Sequence, residues 1–506
     1  MAFKGEDRSK VARGTLHNLL GGIALASSKG FQFVLRRLFG GPAFGLYAIT
    51  YGVMEMCANF LLGGFGDAVT YHASRYVNPH EGETPAEASG RERRLYAVLA
   101  SSLRTPLLIS LSISLTIYFG AEWIHKTVWS GHDIQLVSLL RTVIFALPLL
   151  TVVHLLAEST RAHLDMRLPV IVVQTMFPGF TIAIALLLHF AFGYGIESMA
   201  FGLVYSLLLC LPFAVWGFQR YYSLSKTWSA IIRFEGDPEV RKFAIPQCLN
   251  MASNLGLVKL DSLMLSVWVS ADAVGIYVLL TELTQLVRLP KMAFSGIFGP
   301  LVAKYQHLGN KAGIAESLAS LAQITSIIGI AAIIPIHLFY PEFILGTGKP
   351  WMFSMGLVWL LSVGPLMSTH FGLAGNLLLM TGHSRLLLLN SLGSLALNVL
   401  LNLLLIPRIG ITGAAIATAV SNLTISSLQI YEMKHLEGYS FSIWLYHRVL
   451  IFMVVAAPIL LFALHSTLPV RIGICATLLV TLGLCAWFIP GPHEHPIRSL
   501  WKKSKI

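Results

Sequence analysis

A row of polar and cationic side chains interrupts the first long apolar stretch of this chain. Lys29, Gln32 and Arg36 follow one another at steps of three and four residues, so an α-helix would place them on one face. Amine and guanidinium groups gathered on one face bind phosphate or carboxylate groups, Arg with two hydrogen bonds and Lys as a point charge. The spacing therefore predicts a cationic face that binds an anionic ligand, with Lys29 near the middle of the stretch.

Two further cations, Lys259 and Arg288, lie inside later apolar stretches, and the carboxylates of Glu55, Asp261 and Glu282 accompany them. Ionisable groups in an apolar stretch are costly unless they face a cavity or a partner. Two interpretations are open. Either the cations line a substrate cavity while the carboxylates carry a coupling proton or sodium ion, or the carboxylates neutralise the lysines and tie helices together.

Composition and length place these charges in a membrane. Of 506 residues, 55% are hydrophobic and only 12% are charged, and the mean hydropathy is +0.70, which indicates a polytopic membrane protein. A helix of roughly 20 apolar residues crosses a hydrocarbon core of about 30 Å, and backbone groups at that depth must be satisfied within the helix. We place about 14 transmembrane helices at 16–36, 44–64, 95–119, 136–156, 168–190, 197–217, 244–268, 275–298, 317–340, 353–376, 386–405, 411–433, 445–465 and 470–489.

The distribution of lysine and arginine predicts the orientation. With the N-terminus in the cytoplasm, the cytoplasmic segments contain 24 of the 36 lysines and arginines and the outer segments contain six, as expected for positively charged cytoplasmic loops. We therefore expect both termini to be cytoplasmic. The net charge of +12 then reflects topology and attraction to anionic lipid, and not nucleic-acid binding. The five cysteines fall in or at the edges of apolar spans, which is typical of buried thiols, and we expect no metal and no bound cofactor.

The chain contains an internal repeat. Four pairs of positions match at an offset of 230 residues and two more at 215: Gly45/Gly275, Gly66/Gly296, Ala73/Ala303, Lys29/Lys259, then Gly195/Gly410 and Ser206/Ser421. An even number of spans separates the copies, and such a parallel repeat places a pseudo-twofold axis along the membrane normal. We expect a six-helix bundle over 1–219, an amphipathic cytoplasmic linker over 220–243, a second six-helix bundle over 244–437, and two extra helices with a basic tail over 438–506.

Degenerate motifs follow one another in a fixed order over most of 14–435. They are Phe39-Gly40-Gly41-Pro42-Ala43-Phe44-Gly45-Leu46-Tyr47, Lys259-Leu260-Asp261, Val274-Gly275-Ile276-Tyr277, Ala293-Phe294 through Pro300, Met380-Thr381-Gly382-His383-Ser384-Arg385, Asn398 with Asn402, Ile406-Pro407 and Gly410-Ile411-Thr412-Gly413. Together they resemble the polysaccharide transporter family of lipid-linked oligosaccharide flippases. That family belongs to the multidrug/oligosaccharidyl-lipid/polysaccharide exporter (MOP) superfamily, with the MATE-type multidrug exporters and the peptidoglycan-precursor flippase.

The resemblance implies a MATE-like, all-α fold of two pseudo-symmetric six-helix bundles plus two C-terminal helices. It implies a flippase that moves undecaprenyl-diphosphate-linked oligosaccharide, a repeat unit of a surface polysaccharide such as exopolysaccharide or O-antigen, across the bacterial inner membrane by alternating access. The implied partners are that lipid, the bilayer, and polysaccharide polymerase and export proteins. The family has no fixed substrate motif, so only a cationic cavity carries over, onto Lys29, Arg36, Lys259 and Arg288. The coupling ion, a proton or sodium, stays open.

Two other functions are open. A cation-coupled MATE-type multidrug exporter has the same architecture, but its substrates are often cationic, which a cavity rich in Lys and Arg disfavours. A membrane glycosyltransferase or polymerase usually has an acidic pair or a large outer loop, whereas here no Asp-x-Asp occurs and every predicted outer loop is short. We therefore expect a transporter and not an enzyme.

Overall fold

The computed structural model describes residues 31–77, 83–163, 165–291, 310–344, 355–439 and 466–488, together with Phe298, Val302, Tyr305, Ile459, Leu460 and Ala463. Over these residues the chain is helical and contains no β-strand. The helices are α1 (described over 31–39), α2 (Gly41–Val77), α3 (Pro85–Val128), α4 (Gln135–Ile144), α5 (Ala146–Ser159), α6 (Phe177–Phe192), α7 (Glu197–Gln219), α8 (Leu224–Ile232), α9 (Pro238–Trp268), α10 (Ala271–Gln285), α11 (Lys311–Ile344), α12 (Met355–Met380), α13 (Ser384–Ile409), α14 (Ile411–Glu432) and α15 (Leu468–Phe488). A 3₁₀ turn follows α5 (Thr160–His163) and another follows α10 (Leu286–Arg288), and π-helical turns precede α6 (Pro169–Met176) and follow α14 (Met433–Glu437).

Ten helical segments of the described chain are long and apolar enough to cross a membrane. Helix α9 coincides with the predicted seventh span although it carries Lys259 and Asp261, and α15 coincides with the fourteenth. The first and thirteenth predicted spans lie mostly outside the described residues. The prediction of an all-α, polytopic membrane protein is confirmed.

The described residues divide between two compact units, one ending at Ile276 and the other beginning at Tyr277. Each unit has its own apolar core. Buried residues such as Val69, Leu99, Leu156 and Phe218 form one core in the first unit, and Ile314, Leu318, Leu377 and Met433 belong to one in the second. The predicted division at 219 and 244 stays a prediction.

A row of glycines joins α2 to α9 and to the start of α10 within the first unit. Gly45, Gly52, Gly63 and Gly64 face Ala271, Leu263, Met251 and Cys248, respectively. A Cβ atom on Gly64 would lie 2.3 Å from Cys248 Sγ, so only glycine fits against this neighbour. Small residues let helix backbones approach closely where no hydrophobic force drives association. This row of glycines therefore packs α2 closely against α9, which places Glu55 of α2 opposite Lys259 of α9.

The two copies of the repeated glycine motif touch each other. A Cβ atom on Gly275 would lie 3.1 Å from the Cα atom of Gly45. Both glycines belong to the first unit, and the pseudo-twofold axis between two bundles stays a prediction. Each of the other three pairs at this offset includes a residue outside the described part of the chain, namely Gly296, Ala303 or Lys29.

The repeated serines, Ser206 and Ser421, occupy similar places in two helical hairpins. Ser206 and Ser421 are fully buried. The Ser206 hydroxyl lies 2.8 Å from Thr181 Oγ1 in the α6–α7 hairpin, and the Ser421 carbonyl accepts a hydrogen bond of 2.9 Å from Ser394 Oγ in the α13–α14 hairpin. A serine hydroxyl thus joins the two helices of each hairpin, that of Ser206 in the first and that of Ser394 in the second.

The predicted fourth span, 136–156, lies within the apolar helical segment Gln135–His163. The helix is interrupted inside this span at Phe145, between α4 and α5. Proline has no amide hydrogen, so Pro148 cannot bond the carbonyl four residues earlier, that of Ile144. The Ser114 hydroxyl of α3 donates to this carbonyl instead, at 3.0 Å. The buried Ser114 side chain therefore supplies the hydrogen bond that the Ile144 carbonyl would otherwise lack.

The predicted linker 220–243 contains one short helix, α8, packed on the N-terminal half of α3. Lys226 Nζ lies 2.6 Å from Glu92 Oε1, and this hydrogen bond raises the pKa of Lys226. Arg104 of α3 donates to the carbonyl of Ile231 at 3.3 Å. Trp228 remains exposed, so α8 presents an apolar group beside basic ones, as an amphipathic helix at a membrane surface does.

Candidate functional site

The described end of the cationic face, Arg36 on α1, is buried and paired with a carboxylate. Its Nη2 atom lies 2.6 Å from Asp272 Oδ1, and only 3% of the Arg36 side chain and 22% of the Asp272 side chain are exposed. Asp272 lies in the first turn of α10, where a negative charge also interacts favourably with the helix dipole. The sequence did not predict this pair, since the two residues are 236 positions apart.

The structure pairs Lys259 of α9 with Glu55 of α2. Lys259 Nζ lies 3.0 Å from Glu55 Oε2, and 16% and 24% of the two side chains are exposed. Glu55 is one of the neutralising partners that the sequence left open, and the close packing of α2 on α9 brings the two together. The ion pair reduces the positive charge that Lys259 offers to a ligand, while the small exposed fraction leaves part of the pair accessible.

The two other predicted carboxylates are more deeply buried. Asp261 is fully buried on α9, and its Oδ1 atom accepts a hydrogen bond of 2.8 Å from the backbone amide of Ser262. Glu282 is buried on the part of α10 that belongs to the second unit. Since Lys259 and Asp261 are two residues apart on one helix, they point in different directions.

Arg288 lies in the second unit, in the 3₁₀ turn that follows α10. Its Nη2 atom donates to Asn422 Oδ1 at 3.1 Å. Three residues later, Lys291 Nζ donates to Ser368 Oγ at 3.0 Å. An amide oxygen positions the guanidinium without cancelling its charge, so this contact leaves Arg288 able to bind an anion.

Sequence reasoning did not select Lys291, although one signal was present. Lys291 follows Arg288 by three residues inside the same apolar span, which places both on one helical face. The two cations lie with Ser368 of α12 and Asn422 of α14. These two cations and two polar side chains form one cluster within the second unit.

Two members of the predicted cationic face remain. Gln32 lies on α1, and its Oε1 atom is buried and accepts no hydrogen bond within the described chain. Lys29 lies outside the described residues. Arg36, Glu55 and Lys259 thus lie in the first unit, and Glu282 and Arg288 lie in the second. The role of these residues in a substrate cavity stays a prediction.

The fold is similar to solved transporters of the MOP superfamily. The lipid II flippase MurJ in an inward closed conformation matches with a TM-score of 0.71 at 14% identity, over 92% of this chain and 98% of that chain. An inward-facing multidrug resistance MATE family transporter matches with a TM-score of 0.65 at 13% identity, over 86% and 94%. A MOP superfamily transporter from Pyrococcus furiosus, whose reversed pocket polarity suggests a different function, matches with 0.57 at 13% identity, over 87% and 95%.

These similarities define the class of fold. No protein-family model and no curated protein sequence matches the chain. At identities of 13–14% the likeness establishes the architecture, which is the MATE- and MurJ-like fold of MOP superfamily transporters, as the sequence predicted. The matched proteins are a MATE family transporter, the lipid II flippase MurJ and a further MOP superfamily transporter.

Proposed function

We propose that this protein is a flippase that moves undecaprenyl-diphosphate-linked oligosaccharide, the repeat unit of a surface polysaccharide, exopolysaccharide or O-antigen, from the cytoplasmic to the outer leaflet. Transport proceeds by alternating access through a cationic central cavity. The observation that carries the proposal is Arg288, a guanidinium in a membrane helix that is held by the uncharged Asn422 and accompanied by Lys291. A diphosphate is the part of such a substrate that these cations bind. The likeness of the whole fold to the lipid II flippase MurJ supports the proposal.

The test is translocation of a fluorescent disaccharide linked to undecaprenyl diphosphate in proteoliposomes, followed with a quencher that cannot cross the membrane. Arg288→Ala is expected to lower the rate about tenfold or more, the loss that follows from removing hydrogen bonds between charged groups. Arg288→Lys, which keeps the charge, is expected to keep a larger part of the rate. Lys29→Ala is expected to abolish polysaccharide export with normal membrane insertion.

The matched control is Arg220→Ala, which removes an exposed arginine whose guanidinium stacks on the Trp216 ring at 3.7 Å. It changes the net charge equally and is expected to leave translocation unchanged. Unfolding temperatures of all variants separate misfolding from loss of transport. A stable Arg288→Ala variant with the full rate contradicts the proposed cationic site.

We further propose that the protein lies in the bacterial inner membrane with both termini in the cytoplasm. Gly131, between α3 and α4, and Gly90, near the start of α3, have open space where a Cβ would be, so cysteine fits at both. In a variant that lacks the five native cysteines, Gly131→Cys is expected to react with an impermeant maleimide from outside the cell. Gly90→Cys is expected to react only after permeabilisation. The opposite labelling pattern contradicts the orientation.

A cation-coupled multidrug exporter is the second candidate, because MATE transporters also match the fold. In that case Glu55, Asp261 and Glu282 hold the coupling proton or sodium ion, a role that the flippase also allows. Replacement of Lys259 distinguishes the two functions. Altered drug tolerance with unchanged surface polysaccharide supports the exporter, and loss of polysaccharide with unchanged tolerance supports the flippase and its polymerase and export partners.

A further inference from the structure

A cavity that is separate from the buried charges described above lies within the first unit. It has a volume of about 900 Å³ and is bounded by the C-terminal part of α3, by α4 and by the start of α7. These segments flank the loops that the charge distribution places outside the cell. Phe119 on α3, 75% exposed, and Trp123, 68% exposed, point away from the protein nearby, as aromatic residues at a membrane–water interface do.

Four aromatic rings line this cavity. Tyr118 and Phe145 contact each other with ring centroids 5.2 Å apart, and Phe201 and Tyr205 stack with centroids 6.2 Å apart. About half of the Phe145 and Tyr205 side chains is exposed. Rings held in this way offer flat apolar surfaces to a ligand at little cost in side-chain entropy.

An ion pair stands beside these rings. Arg141 Nη2 lies 2.9 Å from Glu122 Oε1, and Arg141 Nε donates to the Tyr118 carbonyl at 3.2 Å. The guanidinium carbon also lies 5.4 Å from the centroid of the Tyr118 ring. Three contacts fix the guanidinium, while 59% of the Glu122 side chain remains exposed. The carboxylate can therefore accept hydrogen bonds from a ligand.

The formal charges that line the cavity cancel. Glu122 and Asp133 carry negative charges, and Lys126 and Arg141 carry positive charges. A free anion such as phosphate gains little from a lining with no net charge, whereas a ligand with many hydroxyl groups finds both donors and acceptors. A sugar ring has that chemistry, since it combines hydroxyl groups at its edge with an apolar C–H face that stacks on aromatic rings.

We propose that this cavity binds a sugar residue of a glycan at the outer face of the membrane. The position at the interface suits a glycan that is attached to a lipid or that passes along the membrane surface. The assignment to the outer face rests on the proposed orientation, and the presence of a glycan there rests on the proposed function. The cavity itself and its chemistry rest on neither.

The test is saturation-transfer difference NMR on the purified full-length protein in nanodiscs. The probes are glucose, galactose, mannose, rhamnose, N-acetylglucosamine and glucuronic acid, with inorganic pyrophosphate as the anion. At least one sugar is expected to bind, and Glu122→Gln and Tyr205→Ala are each expected to weaken its binding about tenfold, the effect of losing one hydrogen bond to a charged group or one stacked ring. Phe119→Ala removes an exposed ring of the same helix that does not line the cavity and is expected to leave binding unchanged.

Three outcomes overturn the proposal. No sugar binds, or sugar binding is unchanged in both Glu122→Gln and Tyr205→Ala. The third outcome is that pyrophosphate binds instead of the sugars and that the two variants weaken its binding. Competition with a lipid-linked disaccharide in the nanodisc identifies an anchored glycan as the natural source, and competition by free oligosaccharide alone identifies a soluble chain. The result is independent of transport. Sugar binding without translocation in proteoliposomes contradicts the flippase only, and translocation without sugar binding contradicts this site only.

Discussion

Replacement of Asp272 by alanine is expected to destabilise the protein by about 3 kcal/mol, the lower end of the cost of breaking a buried ion pair. The remaining Arg36 is almost completely buried and would keep a positive charge without its carboxylate. The lower end applies because 22% of the Asp272 side chain is exposed, so water compensates part of the loss. A smaller term comes from the start of α10, where removal of a negative charge costs about 0.3–1 kcal/mol.

Thermal unfolding in detergent measures this effect. Four of the five cysteines are buried or half-buried, Cys57, Cys210, Cys248 and Cys475, so a thiol-reactive fluorescent dye reports the exposure of the interior. The double variant Arg36→Met/Asp272→Ala is expected to recover most of the lost stability, because it removes the buried charge as well as its partner.

The matched control is the Lys226–Glu92 ion pair. Its N–O distance is also 2.6 Å, but 56% and 49% of the two side chains are exposed. Lys226→Ala is therefore expected to change the unfolding temperature little, because water and salt screen an exposed pair. Equal losses in Asp272→Ala and Lys226→Ala would show that burial does not determine the strength of the Arg36–Asp272 pair.

Replacement of Gly45 by alanine is expected to lower the stability by about 1–3 kcal/mol. A Cβ atom at this position would lie 1.8 Å from the carbonyl oxygen of Ala271 and 2.3 Å from its carbonyl carbon. Since these are backbone atoms, no side chain can rotate away, and α10 must move relative to α2. Alanine is otherwise the better residue in a helix by about 1 kcal/mol, so any net loss of stability must come from the steric conflict and is a lower bound on its cost.

Gly393→Ala is the control for this prediction. Gly393 lies within α13, is exposed and has no atom within 4 Å of the position of a Cβ. There alanine is expected to raise stability by up to about 1 kcal/mol. The two substitutions should therefore shift the unfolding temperature in opposite directions, and a Gly45→Ala variant as stable as the native protein would contradict the close approach of α2 and α10.

The membrane architecture could be predicted because hydropathy acts locally along the chain. Runs of about 20 apolar residues give span positions directly, and the described helices coincide with them. The interruption of the fourth span at Phe145 was not predicted. That break depends on Pro148 together with Ser114 of another helix. Proline was visible in the sequence, but the hydroxyl that satisfies the freed carbonyl comes from a residue 30 positions away.

The candidate site was predicted in its residue types and not in its pairings. Helical periodicity placed Gln32 and Arg36 on one face, and the cost of a buried charge made Lys259 and Arg288 notable. Periodicity contains no information on which helices are neighbours. The partner of Arg36, which is Asp272, and the choice of Glu55 over two other carboxylates for Lys259 depend on the packing of α2 against α9 and α10.

The amino-acid sequence by itself determined that this is a polytopic helical membrane protein with charges in its spans, and its motifs predicted the MATE- and MurJ-like fold. These properties follow from composition, period and order along the chain. Only the tertiary structure decided that the repeated glycines Gly45 and Gly275 meet, that two of the cations are paired with carboxylates, and that Arg288 is held by an amide. The physical reason is that a side chain's charge is known from its type, whereas the neighbours that neutralise it or leave it available are brought together by helix packing over more than 100 residues of chain.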